Sequence, residues 1–519
     1  PRGANATNRV RAFLGLDVHR ITTRDAYTID ADLDAATVER IAAEICNPVI
    51  QAYRIDAREA DCDWLLEVGF LPGVTDNIGR TARDLIRDMR GRPLPAGGDV
   101  FSSVEYLIDA PQLDRGEIER IATGLLANPL INTIRILSRD EAAAGAFELN
   151  CPRMPASDTG TVETIALDLD KDGLQQLSAD RMLALSTAEM TAIRDYFNGL
   201  PDDAARFAHG LTRAPTDVEL EALAQTWSEH CKHKIFDAEV AYTDAVAGTS
   251  QTITSLYSTY IKAGTAEVAE RVDWLLSVFK DNAGVIAFND EVDLVYKVET
   301  HNSPSALDPY GGAMTGIVGV NRDPMGTGQG ANLLANVWGY CLGSPYTDAA
   351  DVPVGLSHPR LIRDGVHQGV IEGGNQSGIP YVGGWEFFDE RYLGKPLVFC
   401  GTVGTLPRQS NGRPGYEKSI EPGDIVVMAG GRIGKDGIHG ATFSSEELHN
   451  DSPVQAVQIG DPITQKKLYD FTMEARAQGL FRFITDNGAG GLSSSVGEMA
   501  EECNRSEERR VGKECATGC

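Results

Sequence analysis

Residues 294–323 restrict the possible folds more than any other stretch of the chain. Residues 294–298 (Leu-Val-Tyr-Lys-Val) are apolar and partly β-branched, which predicts a short buried strand. The polar run Glu299-Thr300-His301-Asn302 follows it and precedes Pro304 and the pair Gly311-Gly312. Such a run at the end of a strand is typical of a site loop rather than of a core.

The small residues at 312–319 allow two interpretations. Because they lack large side chains, they would let a ligand's phosphates approach backbone N–H groups, aided by the positive end of a helix. Arg322 and Asp323 would then add a phosphate clamp and a hard oxygen ligand. The alternative is a strand, a turn and a glycine-rich helix whose polar residues are merely solvated.

The charge of the chain excludes some classes of partner. The 519 residues contain 47 basic and 75 acidic side chains, a net charge of 47 − 75 = −28. This balance argues against nucleic acid or an anionic membrane as a partner, and it requires a locally basic pocket for any anionic substrate. Nine cysteines without paired metal spacing, no signal peptide and no membrane-length apolar run predict a cytoplasmic protein.

The first part of the chain, residues 1–150, contains an internal repeat. The pattern Leu-Asp, Glu-Arg-Ile-Ala, Asn-Pro, Arg-Ile begins at Leu33 and recurs from Leu113. It predicts a duplicated small α+β sandwich in which each copy has a strand before its helix, at residues 9–16 and 103–108, and a strand after Asn-Pro. A docking or structural role is expected here.

Residues 151–236 are predicted to form a helical linker, with one helix over residues 179–197. Thr216 and Glu219 form a capping box, and apolar residues then recur at helical spacing towards His230 and Cys231. His230 is interpreted either as a satisfied core histidine or as a site residue. Zinc binding by His230, Cys231 and His233, or a nucleophilic Cys231, finds little support because no matching partners are identifiable.

The second half of the chain predicts mixed α/β structure. We expect one α/β domain at residues 237–404 and an incomplete one at 405–503, with strands at 425–429 and 481–485. The glycine loop at 430–437 is not a P-loop, and Asp486 beside glycines is suited to a magnesium-bound phosphate or to a tight turn. Residues 504–519 lack periodicity and are expected to be a non-native tail.

Four motifs together resemble phosphoribosylformylglycinamidine synthase, the ATP-dependent amidotransferase and carbon–nitrogen ligase of purine biosynthesis. They are Trp-Ser-Glu-His-Cys-Lys-His-Lys at 227–234, Lys-Val-Glu-Thr-His-Asn at 297–302, Gly-Asp-Pro at 460–462 and Thr-Asp-Asn-Gly-Ala-Gly-Gly-Leu at 485–492. The resemblance covers residues 215–503 in the family's order. The front repeat resembles the family's small sandwich subunit, fused and doubled.

The resemblance implies aminoimidazole-ribonucleotide-synthetase-like α/β domains, the second one truncated, and a further pair of domains outside this chain. It implies that formylglycinamide ribonucleotide, ammonia and ATP yield formylglycinamidine ribonucleotide, ADP and phosphate. Ammonia would come from a separate glutaminase subunit or a missing glutaminase domain. The fragment alone is expected to be inactive.

The resemblance also assigns roles to residues. It implies Glu299, Asp323 and Asp486 as Mg²⁺ ligands, Lys297 and His233 as ATP contacts, His230 as an active-site histidine and His301 as the acceptor of a proton from ammonia. Substrate contacts would be Thr300, His301, Asn302, Ser303, Arg322 and Gln458. The family commonly has a histidine where this chain has Ser303, so the substrate contact there is less defined.

Two other interpretations remain open. The chain could belong to another ATP-using enzyme of the same fold, of the aminoimidazole ribonucleotide synthetase or selenophosphate synthetase type, although those lack the front repeat and the Ser-Glu-His-Cys helix. It could also be a non-catalytic assembly or nucleotide-binding piece.

Overall fold

The computed structural model describes residues 2–56, 61–145, 149–153, 161–202, 204–431, 438–444, 459–488 and 490–502. The chain divides into two compact units, residues 1–157 and residues 158–519. Within the described ranges, no helix combines the length and the apolar character that a bilayer span requires.

The first unit is built on one antiparallel sheet of four strands in the order β1-β3-β2-β4. Its strands are β1 (Arg20–Asp30), β2 (Trp64–Phe70), β3 (Asp99–Asp109) and β4 (Asn132–Ser138), and its helices are α1 (Arg2–Arg9), α2 (Ala35–Ile45), α3 (Asn77–Arg90), α4 (Arg115–Ile121) and α5 (Arg139–Ala143). Since β1 and β2 come from the first repeat and β3 and β4 from the second, the two copies alternate across a single sheet.

The strand predicted at residues 9–16 is wrong. That segment is the end of α1 and a π-helical turn, Val10–Leu14, and the first strand starts only at Arg20. Ala6 and Val10 lie four residues apart and are both buried in the core, which is the spacing of a helix that buries one face. The first-copy strand predicted at Arg54 and Ile55 is also absent, because β2 starts ten residues later, at Trp64. The second-copy strands are confirmed within β3 and β4.

The helices that follow begin the second unit. They are α6 (Lys171–Asp180), α7 (Thr187–Asn198), α8 (Asp217–Thr226), α9 (Glu229–Lys232) and α10 (Lys234–Asp237), with a 3₁₀ turn at Ala205–His209. The single helix predicted at residues 179–197 is two helices, because Ser186 and Glu189 cap a new start there. The predicted capping box of Thr216 and Glu219 is confirmed.

A mixed sheet of six strands, in the order β11-β10-β12-β9-β8-β7, forms the centre of the second unit. Its strands are β7 (Leu275–Ser277), β8 (Gly284–Ala287), β9 (Val292–Thr300), β10 (Asn332–Leu342), β11 (Tyr381–Phe388) and β12 (Leu397–Pro407). The helices α12 (Asn302–Leu307), α13 (Pro309–Met325) and α14 (Pro359–Ser377) accompany it. The predicted strand at 294–298 is confirmed as part of β9. Ile317 and Val320 of α13 pack against Val398 and Cys400 of β12, so α13 covers one face of the sheet.

The remaining elements are mostly short. They are β5 (Glu239–Asp244), β6 (Thr249–Thr254), α11 (Ala263–Ala269), β13 (Gln409–Ser410), β14 (Arg413–Pro414), α15 (Gly440–Ser444), α16 (Pro462–Ala477) and α17 (Gly491–Glu502). The strands predicted at 425–429 and 481–485 are wrong, since both segments are irregular. A strand needs a neighbour for its backbone hydrogen bonds, and no described segment pairs with either one.

The face of the six-stranded sheet opposite α13 is apolar and open. Tyr296 and Val298 of β9 are 52% and 42% exposed, and Trp385 and Phe387 of β11 are 47% and 48% exposed. The register of the strands puts all four side chains on the same face. Contiguous apolar surface of this kind is typical of an interface.

We therefore expect the isolated chain to self-associate through this face. In sedimentation velocity, replacing Val298 and Trp385 by Ser should shift the chain towards monomer, because the variant removes apolar area from the face. Val246→Ser, at a fully exposed position in the turn between β5 and β6, is the control and should change nothing. A wild-type chain that sediments as a clean monomer would contradict the expectation.

Candidate functional site

The site begins on strand β9. Lys297 and Glu299 lie two residues apart and therefore point to the same face of the sheet, the face that α13 covers. Antiparallel pairing sets Lys297 opposite Thr402 and Glu299 opposite Cys400 of β12. Thus the two charged residues near the end of this strand, Lys297 and Glu299, face the helix rather than the open apolar side.

Five charged side chains from three separate segments form one network. The Nζ atom of Lys297 lies 3.1 Å from Oε1 of Glu299 and 2.9 Å from Oδ2 of Asp323, near the end of α13. Nε of the neighbouring Arg322 donates to Oδ2 of Asp486 at 2.7 Å. The side chain of Glu299 is 42% exposed and that of Asp323 is 7% exposed, so the network runs from solvent into the interior.

The crowding of carboxylates shifts their proton affinities in opposite directions. Burial, followed by repulsion from Glu299, raises the pKa of Asp323 well above its usual value. Burial also opposes ionisation of Glu299 and Asp486, but the attraction of Lys297 for Glu299 and of Arg322 for Asp486, together with hydrogen bonds to Asp323, holds their pKa values below the usual range. Asp323 is therefore the member of the network that most lacks compensating positive charge.

The ring of His301 is held in one tautomer. Its backbone N–H donates to the carbonyl of Val398 at 2.8 Å, and its Nδ1 lies 2.5 Å from the carbonyl oxygen of Gly312. A carbonyl oxygen only accepts, so Nδ1 carries the proton and Nε2 presents a lone pair. Burial lowers the pKa of His301 to about 4, which keeps the ring neutral at neutral pH.

The glycines of α13 have a different role from the one predicted. Residues 312–319 lie inside the helix, where their N–H groups serve helical hydrogen bonds. Of the two interpretations of these residues, phosphate binding by their N–H groups is therefore wrong, and the glycine-rich helix is confirmed. Instead, the glycines allow close packing. A Cβ on Gly316 would lie 3.3 Å from Cβ of His301, and a Cβ on Gly319 would lie 3.6 Å from Oε2 of Glu299. The helix can approach β9 this closely because those side chains are missing.

His230 of the linker lies close enough to the network for the charges of Glu299 and Lys297 to act on its ring. Helix α8 ends at Thr226, so His230 belongs to the next short helix and is not on the buried stripe predicted for α8. Desolvation lowers the pKa of His230, with Glu299, His233 and Lys297 among the charges that act on it. His233 is exposed and takes a left-handed backbone conformation, with φ of 53°.

The residues that were predicted to contact the substrate at the end of β9 and just after it differ in their surroundings. Oδ1 of Asn302 accepts the N–H of Val398 at 2.8 Å, so this side chain serves the sheet. Thr300 is exposed at the end of β9. Ser303 is 1% exposed, and its hydroxyl has no hydrogen-bond partner among the described residues. Gln458 and the predicted loop residues 432–437 lie outside the described residues.

Sequence reasoning missed Asn282. Its backbone oxygen accepts from Nζ of Lys297 at 2.9 Å, and its side chain lies 3.4 Å from both the carbonyl of Gly326 and Oγ1 of Thr485. These contacts tie together the three segments that carry the network. No motif marks Asn282, because its role depends on segments far apart in the sequence.

The carboxylates of Glu299, Asp323 and Asp486 are engaged by basic side chains and are not grouped around a common metal position. In the part of the chain that the structure describes, no three His, Cys, Asp or Glu side chains form a ready-made metal-binding group. Instead, the ammonium of Lys297 bridges Glu299 and Asp323, and Arg322 pairs with Asp486.

Three family models match the second unit. A formylglycinamide ribonucleotide amidotransferase linker domain matches residues 174–234, and the N-terminal and C-terminal domains of AIR synthase related proteins match residues 280–406 and 421–508. The chain therefore contains segments similar to the linker domain of formylglycinamide ribonucleotide amidotransferases and to both domains of AIR synthase related proteins. The last match runs to residue 508, past the point where the sequence changes character.

Relatives that resemble this chain are longer than the part that matches it. The chain is 38% identical over 334 residues to the synthase subunit PurL of Thermoplasma acidophilum, which covers 64% of this chain and 38% of the relative. It is 35% identical over 306 residues to PurL of Salinibacter ruber, covering 58% and 36%. The chain therefore spans less than two fifths of the length of these relatives. A solved structure of Thermotoga maritima PurL complexed with FGAR is 30% identical, covers 58% of this chain and 41% of its own, and superposes with a TM-score of 0.40.

The close approach at Gly316 leads to a test. In Gly316→Ala the new methyl group should push the His301 ring and lengthen its bond to Gly312. The free energy of unfolding should change by only about 1 kcal/mol, because alanine favours the helix. Imidazole ¹⁵N chemical shifts, assigned to His301 by their loss in His301→Gln, should move.

The control is Gly373→Ala on α14, whose added Cβ would touch Ile317 at 3.4 Å and no residue of the network. It should leave the His301 signals in place. Unchanged His301 shifts in Gly316→Ala would contradict the packing role of this glycine.

Proposed function

We propose that this chain is part of an enzyme that converts formylglycinamide ribonucleotide, ammonia and ATP to formylglycinamidine ribonucleotide, ADP and phosphate. The observation that carries the proposal is the network of Lys297, Glu299, Arg322, Asp323 and Asp486 beside a neutral histidine. It occurs in a chain that matches both the linker and the synthase-type domains of this family. The linker match favours this reaction over the other ATP-using reactions of the fold.

We propose Mg²⁺ as the cation of the site, with Glu299, Asp323 and Asp486 as its ligands. Three carboxylates provide the hard oxygen donors that Mg²⁺ prefers. The raised pKa of Asp323 indicates that its ionised form lacks compensating positive charge, which a divalent cation would supply. When bound, Mg²⁺ neutralises the nucleotide phosphates.

The two cations of the network suit the two anionic substrates. Lys297 and His233 are proposed to contact ATP. The Lys297 ammonium already binds anionic oxygens of two carboxylates, and the phosphate oxygens of ATP are partners of the same kind. Arg322 is proposed to contact formylglycinamide ribonucleotide with Thr300, Asn302, Ser303 and Gln458. The unpartnered hydroxyl of Ser303 supports this assignment, since a buried hydroxyl gains by finding a partner.

His301 is proposed to accept the proton that ammonia loses. The amide oxygen of the substrate first takes the γ-phosphoryl group and ADP leaves; ammonia then adds to the carbon and phosphate departs. A base must be unprotonated to act, and the low pKa of His301 together with its Nδ1–H bond to Gly312 leaves Nε2 free for this step. His230 is proposed as the second catalytic histidine, supported by its proximity to Glu299 and Lys297.

The complete enzyme would need more than this chain. By the family's pattern we propose a second pair of synthase domains, and a glutaminase subunit or domain that supplies ammonia in the cytoplasm. The isolated chain is therefore expected to lack turnover, and its first unit would serve in assembly.

Steady-state assays of the complete enzyme test the proposal. ATP hydrolysis should require both formylglycinamide ribonucleotide and ammonia, and His301→Ala should lower turnover by about 100-fold or more, because no base replaces the ring. Binding of ATP should stay close to that of the wild type. His209→Ala, in an exposed 3₁₀ turn, is the matched histidine control and should retain activity.

ATP consumption that ignores the ribonucleotide would refute the proposed reaction. Full turnover in His301→Ala would refute only the role of this histidine.

A further inference from the structure

Lys418 is a largely buried lysine that no motif marks. Its side chain is 12% exposed, and Nζ donates to Oδ1 of Asp281 at 2.6 Å and to the carbonyl of Gly326 at 2.7 Å. The ammonium also lies 5.1 Å from the ring centroid of Phe483. Residue 418 falls between the two matched synthase-type domains, 280–406 and 421–508, so neither family model includes it.

Asp281 connects Lys418 to the first two segments of the site, the end of α13 and strand β9. Its side chain is 8% exposed, and Oδ2 accepts the N–H of Gly328, just past the end of α13. The next residue, Asn282, accepts the ammonium of Lys297 through its backbone oxygen. The Lys418–Asp281 pair therefore fixes both the turn that receives Lys297 and the end of the helix that carries Asp323.

The third segment of the site is fixed at the same point. Phe483 lies three residues before Asp486, and Thr485 faces the side chain of Asn282. Nearby, Nε2 of Gln329 donates to the carbonyls of Glu417 and Arg482 at 2.7 and 2.9 Å. The segments around 418 and 483 are thus bound to the end of α13 from both sides.

The geometry points to Lys418 as a positioning residue that sets the distance between the Asp323 and Asp486 carboxylates. It touches none of the five charged groups of the network, but each of the three segments that carry them contacts Lys418, Asp281 or Asn282. The inference rests on the proposed function, because it assumes that these carboxylates share one divalent cation. Residues behind metal ligands typically change metal affinity by about 10- to 100-fold when replaced.

The test uses the complete enzyme with Mn²⁺ in place of Mg²⁺ and a non-hydrolysable ATP analogue. Electron paramagnetic resonance measures bound Mn²⁺, and fluorescence measures metal-free binding of the analogue. Lys418→Met keeps the apolar stem and removes the ammonium. It should weaken Mn²⁺ binding by about 10-fold while metal-free binding of the analogue stays within about 2-fold of wild type.

Two further variants distinguish loss of positioning from failure to fold and from the loss of a lysine charge elsewhere. Because Lys418→Met leaves Asp281 buried without its partner and can fail to fold, the double variant Lys418→Met/Asp281→Asn removes both charges and should show the same loss of Mn²⁺ affinity. Lys466→Met removes a lysine from an exposed ion pair with Asp470 on α16 and should behave as wild type.

The outcomes separate the inference from the proposed function. Wild-type Mn²⁺ affinity in a folded Lys418 variant overturns the inference and leaves the function intact. Equal losses of Mn²⁺ and metal-free analogue binding also overturn it, since they indicate general damage. If the wild-type enzyme itself binds no Mn²⁺ with the analogue, the proposed function and the inference both fail.

Discussion

The bridge from the Lys297 ammonium to Glu299 and Asp323 is the contact on which the site depends. Two carboxylates at this spacing repel each other, and the low exposure of Asp323 removes the water that would screen them. Burial lowers the pKa of a lysine, yet Asp323 and Glu299 hold the pKa of Lys297 above its usual value. The ammonium therefore stabilises the packing of α13 against β9. Without it, the carboxylates of Asp323 and Glu299 would lack this compensating positive charge.

Close packing makes this contact possible. Helix α13 reaches β9 because Gly316 and Gly319 present no side chains towards His301 and Glu299. The same approach lets the carbonyl of Gly312 accept the His301 ring proton. The glycines thus act through packing, and they connect the electrostatics of the carboxylates with the tautomer of the histidine.

Local sequence patterns predicted the parts of this site, whereas only the family resemblance implied that Glu299, Asp323 and Asp486 come together. Strand β9 and its polar end followed from apolar composition and the sudden change to polar residues, both of which act over a few positions. The pairing of Arg322 with Asp486 joins residues 164 positions apart. The contact of Asn282 with Thr485 spans 203 positions, and that of Lys418 with Asp281 spans 137. The strands predicted at 425–429 and 481–485 failed for a related reason, since a strand exists only with a neighbour, and composition does not supply one. The strand predicted at residues 9–16 failed because this segment continues a helix, in which Ala6 and Val10 are buried on one face.

The central claim is that Glu299, Asp323 and Asp486 serve one divalent cation. Anomalous scattering from crystals of the complete enzyme grown with Mn²⁺ and a non-hydrolysable ATP analogue would test it most directly. We expect one manganese peak within bonding distance of oxygens from all three carboxylates, with Lys297 turned towards the nucleotide. A peak bound by other residues, with Lys297 still between Glu299 and Asp323, would contradict the account.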